Sequence, residues 1–292
     1  MSASFGIVGN CTARGFARSL ELLVPGSRAF VFHLGKIATE PSEVRKAGWL
    51  KSLAEADIVF SLPLSGGTYG DFEPDKLEKI CQKVVRFPYI AFTGYQPDCI
   101  YIRKEGRDIQ GPMGPYHSAL VAGAFLEGLS AARTVRLFNN YVFASLGYFD
   151  QFEKAAVALQ RSATQLGYDI GPMLHGDVFM HTVNHPTISA IHAVAIQALD
   201  LAGIRFDRDL IPNAPDDELR GAARWPIYPG IAQALSKPGG SYEFFHAVLG
   251  KKNLHEFVVA SHEAFAAVEG GFTAPALDRA RRFLQAELVQ AV

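Results

Sequence analysis

The chain has 292 residues, 49% hydrophobic and 20% charged. That is enough for one large or two ordinary domains with a substantial core, and it excludes a disordered chain. With 28 basic against 29 acidic residues the formal net charge is −1, so no basic excess points to nucleic acid.

In chain order, Phe5–Val8 reads as a strand and runs into Gly9-Asn10-Cys11. Ala13, Phe16, Ala17, Leu20 and Leu23 then follow helical spacing from Thr12 to Leu23. Ala29–Phe32 is a second strand. Pro41-Ser42 opens a helix to about Ala54 with Val44, Ala47 and Leu50 on one side. Ile58–Leu62 is a third strand, Pro74–Cys81 a helix, and Val84–Phe87 and Tyr89–Phe92 are strands around Pro88. Such alternation predicts an α/β fold with a small, mostly parallel sheet. Ligands of such sheets sit beyond the carboxyl ends of the strands. Gly9-Asn10-Cys11, His33 and the loop Pro63–Gly67 all fall there.

Beyond residue 115 the pattern is predominantly helical. Ser118 caps an almost wholly apolar helix to Leu129, and Ser130 to about Phe138 forms another. Phe152 to Leu166 carries a helical stripe that stops at Gly167. Pro186 opens a helix ending near Gly203. Residues 207–230 read as irregular. Helices are predicted at about 242–249, 253–268 and 275–290, the last with Thr273 as cap. The expected division is an α/β part, 1–112, carrying the Gly-Asn-Cys turn, and a mainly helical part, 113–292, sharing its core.

Cys11, Cys81 and Cys99 show no CxxC spacing. That argues against a disulfide framework or a structural zinc site and suits a reducing compartment. No apolar run reaches about 18 residues and no secretory leader pattern opens the chain. The expectation is a soluble cytoplasmic protein without a membrane span.

Cys11 is the most informative of the three, because a strand-to-helix turn sets its thiol near backbone N–H groups and a dipole that favour negative charge. A thiol so placed can be a thiolate near neutral pH, and the thiolate is the nucleophile. The competing reading is a small packed hydrophobe. Thr12 and Arg14, at the start of that helix, are candidates to hold an anion, and Ser65 and Gly66 to cover a ligand. His181 and His185 stand four apart but lie ahead of Pro186 with no Glu after His181, so no metal site is expected. His117 and His185 sit before predicted helices, where the dipole keeps an imidazole neutral. Each is either a base or a cap, and the sequence does not choose between them.

Four segments then form a pattern. Ile7-Val8-Gly9-Asn10-Cys11-Thr12-Ala13, Phe87 through Asp98 with its Gly94-Tyr95-Gln96-Pro97-Asp98, Tyr116-His117-Ser118 with the helix to Ser130, and His181-Thr182-Val183-Asn184-His185-Pro186-Thr187 occur in that order. Together they resemble the WcbI family of capsular polysaccharide biosynthesis enzymes over about residues 5–235. Thr12 stands where that family's pattern has Gln, and Gln96 where it has His. The resemblance implies a small α/β subdomain within a mainly helical fold, coenzyme A binding, and acetylation of a capsule sugar. On that basis Cys11, Asn10, His117, Ser118 and His185 are the expected catalytic set. Thr12, Arg14, Ser65, Gly66, Tyr116 and Asn184 are the expected coenzyme A contacts. The expected reaction is acyl transfer from acyl-coenzyme A to a carbohydrate or nucleotide-sugar hydroxyl, by a monomer or a homo-oligomer. A cysteine hydrolase (thioesterase or amidase) and a non-catalytic sugar or nucleotide binder are the alternatives.

Overall fold

The strand that ends in Gly9-Asn10-Cys11 is the second of four in a parallel sheet. In the computed structural model, which describes residues 3–290, β1 (Ser4–Gly9), β2 (Arg28–His33), β3 (Ile58–Ser61) and β4 (Val84–Arg86) lie in the order β2-β1-β3-β4. The register sets Gly9 beside His33 and Val8 beside Ser61. Phe5, Ile7, Val8, Val59 and Phe60 are fully buried, as expected for central strands covered on both faces. The fold is mixed α/β, as the alternation predicts.

Residues divide into two units. The first gathers the chain up to Ala91 with Ala158–Phe179 and His185–Leu219. The second gathers Phe92–Val157, Met180–Asn184 and the chain from Arg220 on.

In the first unit α1 (Ala13–Leu23) turns Phe16, Ala17, Leu20 and Leu23 inward. Phe16 stacks on Phe87 with ring centroids 4.3 Å apart. α1 packs closely on the helix Ile188–Ala202: a Cβ on Gly15 would come within 3.0 Å of Ile188 Cδ1. A short helix α2 (Leu34–Thr39) follows β2 directly, its N-terminus accepted by the His33 side chain. α3 (Glu43–Ala54) is capped by Ser42, but Val44 and Ala47 are exposed and Leu53 is its buried residue. The Val44/Ala47/Leu50 side is thus not its packing face; Trp49 instead meets Phe72 edge-on at 6.3 Å. α4 (Pro74–Leu77) is shorter than predicted, because residues to Cys81 tighten into turns from Lys79 and Ile80 N–H groups to carbonyls three residues back. Tyr89–Phe92 forms no strand; Pro88 has no N–H for a ladder. Pro186 does not open its helix either. It lies in a short strand, Thr187 accepts the Ala190 N–H as cap, and Gly203 closes the helix in the left-handed conformation at φ 67°.

The second unit is organised around Asp98, which is 0% exposed. Its Oδ1 accepts the Leu120 N–H at 2.9 Å and the Tyr148 hydroxyl at 2.7 Å. Its Oδ2 accepts the Tyr228 hydroxyl at 2.8 Å, and Ser118 also donates to the carboxylate. Ser118 accepts the Val121 N–H and so starts the helix Ala119–Leu126, as expected. The helix Leu254–Ala266 begins with a capping box between Asn253 and Glu256. The segment read as a helix at 242–249 is instead an antiparallel hairpin, Phe244–His246 against Gly250–Lys252. His246 Nδ1 accepts the Val248 and Leu249 N–H groups at its turn, and Gly250 takes φ 79°. A 3₁₀ turn, Pro275–Leu277, precedes the last helix with Ala274 before it, so Thr273 is not its cap.

Asp98→Asn replaces an acceptor surrounded by donors with an amide that brings its own N–H groups. We expect a stability loss of about 3 kcal/mol, with Tyr148→Phe costing about 1 kcal/mol, read from urea unfolding midpoints. Equal stability of Asp98→Asn and the parent would refute this.

Candidate active site

Cys11 sits in the turn between β1 and α1. The Asn10 side chain shapes that turn: its Oδ1 accepts the Thr12 N–H at 3.1 Å and the Thr12 hydroxyl at 2.8 Å. The Ala13 N–H returns to the Asn10 carbonyl at 3.0 Å. This local pattern arrests the strand and opens the helix. Because its oxygen is spent on Thr12, what Asn10 can offer a ligand is its amide N–H2.

Asn10, Cys11 and Arg14 line a cleft of about 300 Å³ together with Val31, His33, Lys36 and Glu218. His33 reaches it because β2 runs parallel to β1 with its last residue beside Gly9. Lys36 follows one turn into α2. The sequence marks His33 only as a strand end. Its place beside Cys11 depends on a register that sequence pattern does not supply, and Glu218, from a distant irregular segment, carries no signal at all.

The Cys11 thiol is half-buried. Burial pushes it above the usual cysteine range, opposed by N–H donation from Cys11 and Thr12. The expected downward shift is therefore corrected: removal from water outweighs the helix terminus. His33 is pushed below the usual imidazole range by burial and then by the Lys36 charge. Its Nδ1 accepts the Gly35 N–H at 3.1 Å, so in the neutral ring the proton sits on Nε2, which is a donor. Arg14 and Arg18, one turn apart on α1, both face Glu218, Arg18 at 2.7 Å and Arg14 at 3.7 Å.

The other predicted residues fall elsewhere. Ser65 and Gly66 are exposed on the loop after β3, outside the lining of this cleft, with Gly66 at φ 90°. His185 is half-buried in the first unit, two residues before the Thr187 cap. In the second unit, His117 is 1% exposed and its Nε2 donates to the Ile109 carbonyl at 2.9 Å. Burial holds it below the usual imidazole range. The Tyr116 hydroxyl donates to Asn184 Oδ1 and the Asn184 amide to the Tyr101 hydroxyl, each at 2.8 Å. No motif in the sequence marks Tyr101. Ser118 is buried on Asp98. Among the described residues no group of three or more His, Cys, Asp or Glu is arranged to hold a metal. No helix among them is long and apolar enough to cross a membrane.

A thiol, an imidazole and two cations at the carboxyl end of a parallel sheet define an α/β protein with a cysteine-centred ligand cleft. The profile of the polysaccharide biosynthesis enzyme WcbI family matches residues 4–207, and the chain belongs to that family. No curated protein matches it. A solved WcbI structure, described as a novel polysaccharide biosynthesis enzyme in its native form without a disulfide bond between coenzyme A and one of its cysteines, shares the fold. It covers 100% of this chain and 99% of its own, at a TM-score of 0.70 and 18% identity.

With its thiol pushed up, Cys11 should alkylate slowly with iodoacetamide at pH 7, and its rate should still climb past pH 8.5, about where a free cysteine is half ionised. Peptide mass spectrometry across a pH series reads this. A rate at Cys11 that levels off below pH 8 would overturn the assignment.

Proposed function

We propose that the protein transfers an acyl group, acetyl in the simplest case, from acyl-coenzyme A to a carbohydrate hydroxyl in polysaccharide biosynthesis. The observation that carries this is Cys11 lining one cleft with His33 at the ends of neighbouring parallel strands. Family membership supports the carbohydrate side. The neighbour supports the donor side, since coenzyme A and a cysteine are named together there. Of the three free cysteines, Cys99 is buried and Cys81 lies after a short helix; Cys11 is the one lining the cleft at the strand ends. Three free thiols suit the cytoplasm, where acyl-coenzyme A donors are made.

The fit is to the reactive end of the donor, since a cleft of about 300 Å³ suits a thioester and an acceptor hydroxyl rather than a whole coenzyme A. Bound acyl-coenzyme A supplies an activated thioester: the acceptor oxygen adds to its carbonyl, the carbon–sulfur bond breaks, and the acceptor's proton leaves with the thiolate. The residues around it do the rest. His33 donates from Nε2 to the developing oxyanion, joined by the Asn10 amide and the N–H groups that now point at Cys11 Sγ. Each such donor is worth roughly 3 kcal/mol in the transition state. Burial keeps Cys11 a thiol, so we read it as packing against the thioester sulfur rather than attacking the carbonyl. His185, in the first unit, remains a candidate contributor to proton transfer, on the strength of the family segment that holds it.

Acetyl-coenzyme A with carbohydrate acceptors tests this. Transfer should appear with wild type, fall by roughly tenfold in Cys11→Ala, and fall by about a hundredfold in kcat with little change in KM in His33→Ala. Abolition in Cys11→Ala with a trapped acyl-cysteine in wild type would restore the covalent route. Free acetate without acceptor dependence would make the protein a hydrolase. Absence of any turnover, and of a melting-temperature rise with coenzyme A, would remove the reading.

A further inference from the structure

The charge in the Cys11 cleft is more than the acyl-transfer chemistry requires. Arg14, Lys36 and His33 line it, against one carboxylate, Glu218. That carboxylate pairs with Arg18 at 2.7 Å and more loosely with Arg14 at 3.7 Å. Arg14's side chain is 71% exposed, and Lys36 is exposed with no ion pair to any described acidic residue. With Arg18 pairing Glu218 from outside the lining, three cations meet one carboxylate, a net of two positive charges at the cleft, with the His33 Nε2–H and the Asn10 amide as neutral donors beside them. Cations gathered in a concave site focus their field on a ligand of opposite charge.

The donor does not account for these charges. If its sulfur lies against Cys11, the long pantetheine arm carries its phosphates well away from a cleft of this size. The charges therefore face the acceptor side of the reaction. We propose that the Cys11 cleft selects an acidic acceptor sugar, one whose carboxylate or phosphate group is held between Arg14 and Lys36 near the hydroxyl that is acylated. This rests on the acyltransferase reading and adds to it the charge of the substrate.

Cys11 itself is the reporter. Iodoacetate and iodoacetamide form the same kind of carbon–sulfur bond with loss of iodide and differ in charge, so their rate ratio reads the local field at the thiol. Relative to N-acetylcysteinamide, the iodoacetate-to-iodoacetamide ratio at Cys11 should rise by roughly five- to tenfold at low salt. It should collapse toward the reference in 0.5 M KCl, about a 4 Å Debye length, and in Lys36→Gln or Arg14→Gln, both surface changes. Glucuronate or glucose 1-phosphate should protect Cys11 from iodoacetamide at lower concentration than glucose, and the better of the two identifies the anion. A ratio equal to that of the reference thiol, a ratio unmoved by both substitutions, or protection by the acidic sugars no better than by glucose overturns the proposal. None of these readouts uses acyl transfer. Failure of the acyltransferase reading would leave an anion-selective cleft without turnover, and failure here would leave turnover without charge preference.

Discussion

The constraint on which the site depends is the parallel register of β1 and β2, with Gly9 beside His33. Parallel strands end on the same edge of a sheet, so whatever follows each strand is brought together there. After β1 comes the Asn10 turn with Cys11; after β2 comes α2, whose Gly35 N–H is accepted by His33 itself. One slipped residue in either strand would turn these side chains to the other face. β1 is buried continuously from Phe5 to Gly9 against β3, so the strand that delivers the Cys11 turn is held by the core itself. Gly9 belongs to the same device: a Cβ there would sit 3.0 Å from Ala13 Cβ, and its absence lets α1 start tight against the strand end.

The second unit depends on a different interaction. Asp98 is a fully buried carboxylate whose neighbours are donors from four places in the chain: Ser118, Leu120, Tyr148 and Tyr228. Burial is the larger effect and holds the carboxyl above the usual carboxylate range, against the downward pull of each of those hydrogen bonds. Removing one partner would leave the others facing an unsatisfied buried charge, which is why such a cluster specifies one arrangement. The Gly94–Asp98 segment thus has a structural role in its acidic residue. Gln96 is 2% exposed and its amide donates to the Trp225 carbonyl at 3.4 Å.

What the sequence made legible was local. The strands of the sheet, the Thr12–Leu23 and Ile188–Ala202 helices and the Ser118 cap each follow from spacing or from one capping side chain, and each is found within a residue or two of its expected bounds. What it hid was contextual. The 242–249 segment has no strong helical period, and its hairpin is decided by Gly250 and by a histidine ring accepting turn N–H groups, neither of which a pattern shows. α3 has an apolar side on paper, yet its packing is decided by Leu53 and Trp49. At the site, Cys11 and Asn10 were readable from a strand-to-helix turn. His33 was readable as a strand end but not as their neighbour, and Glu218 lies some two hundred positions away in the chain with nothing to announce it.

The thiol shows why magnitudes, rather than the presence of a motif, decide function. A helix N-terminus stabilises a nearby negative charge by about 0.3–1 kcal/mol at an exposed site, whereas a desolvated anion loses several times that. At Cys11 the N–H groups of Cys11 and Thr12 do point at sulfur, but Asn10 Oδ1 competes for the Thr12 N–H, and the first turn of α1 offers little beyond them. Burial therefore prevails. The consequence bears on how such a residue can sit beside a thiol-bearing ligand. Thiolates, not thiols, attack sulfur and carbonyl carbon, so a cysteine held protonated is slow both to form a mixed disulfide and to take an acyl group. Under the proposed acyl transfer, a thiol held protonated lies against the coenzyme A sulfur without trapping it, and the charge that develops at the carbonyl falls to the His33 Nε2–H beside it.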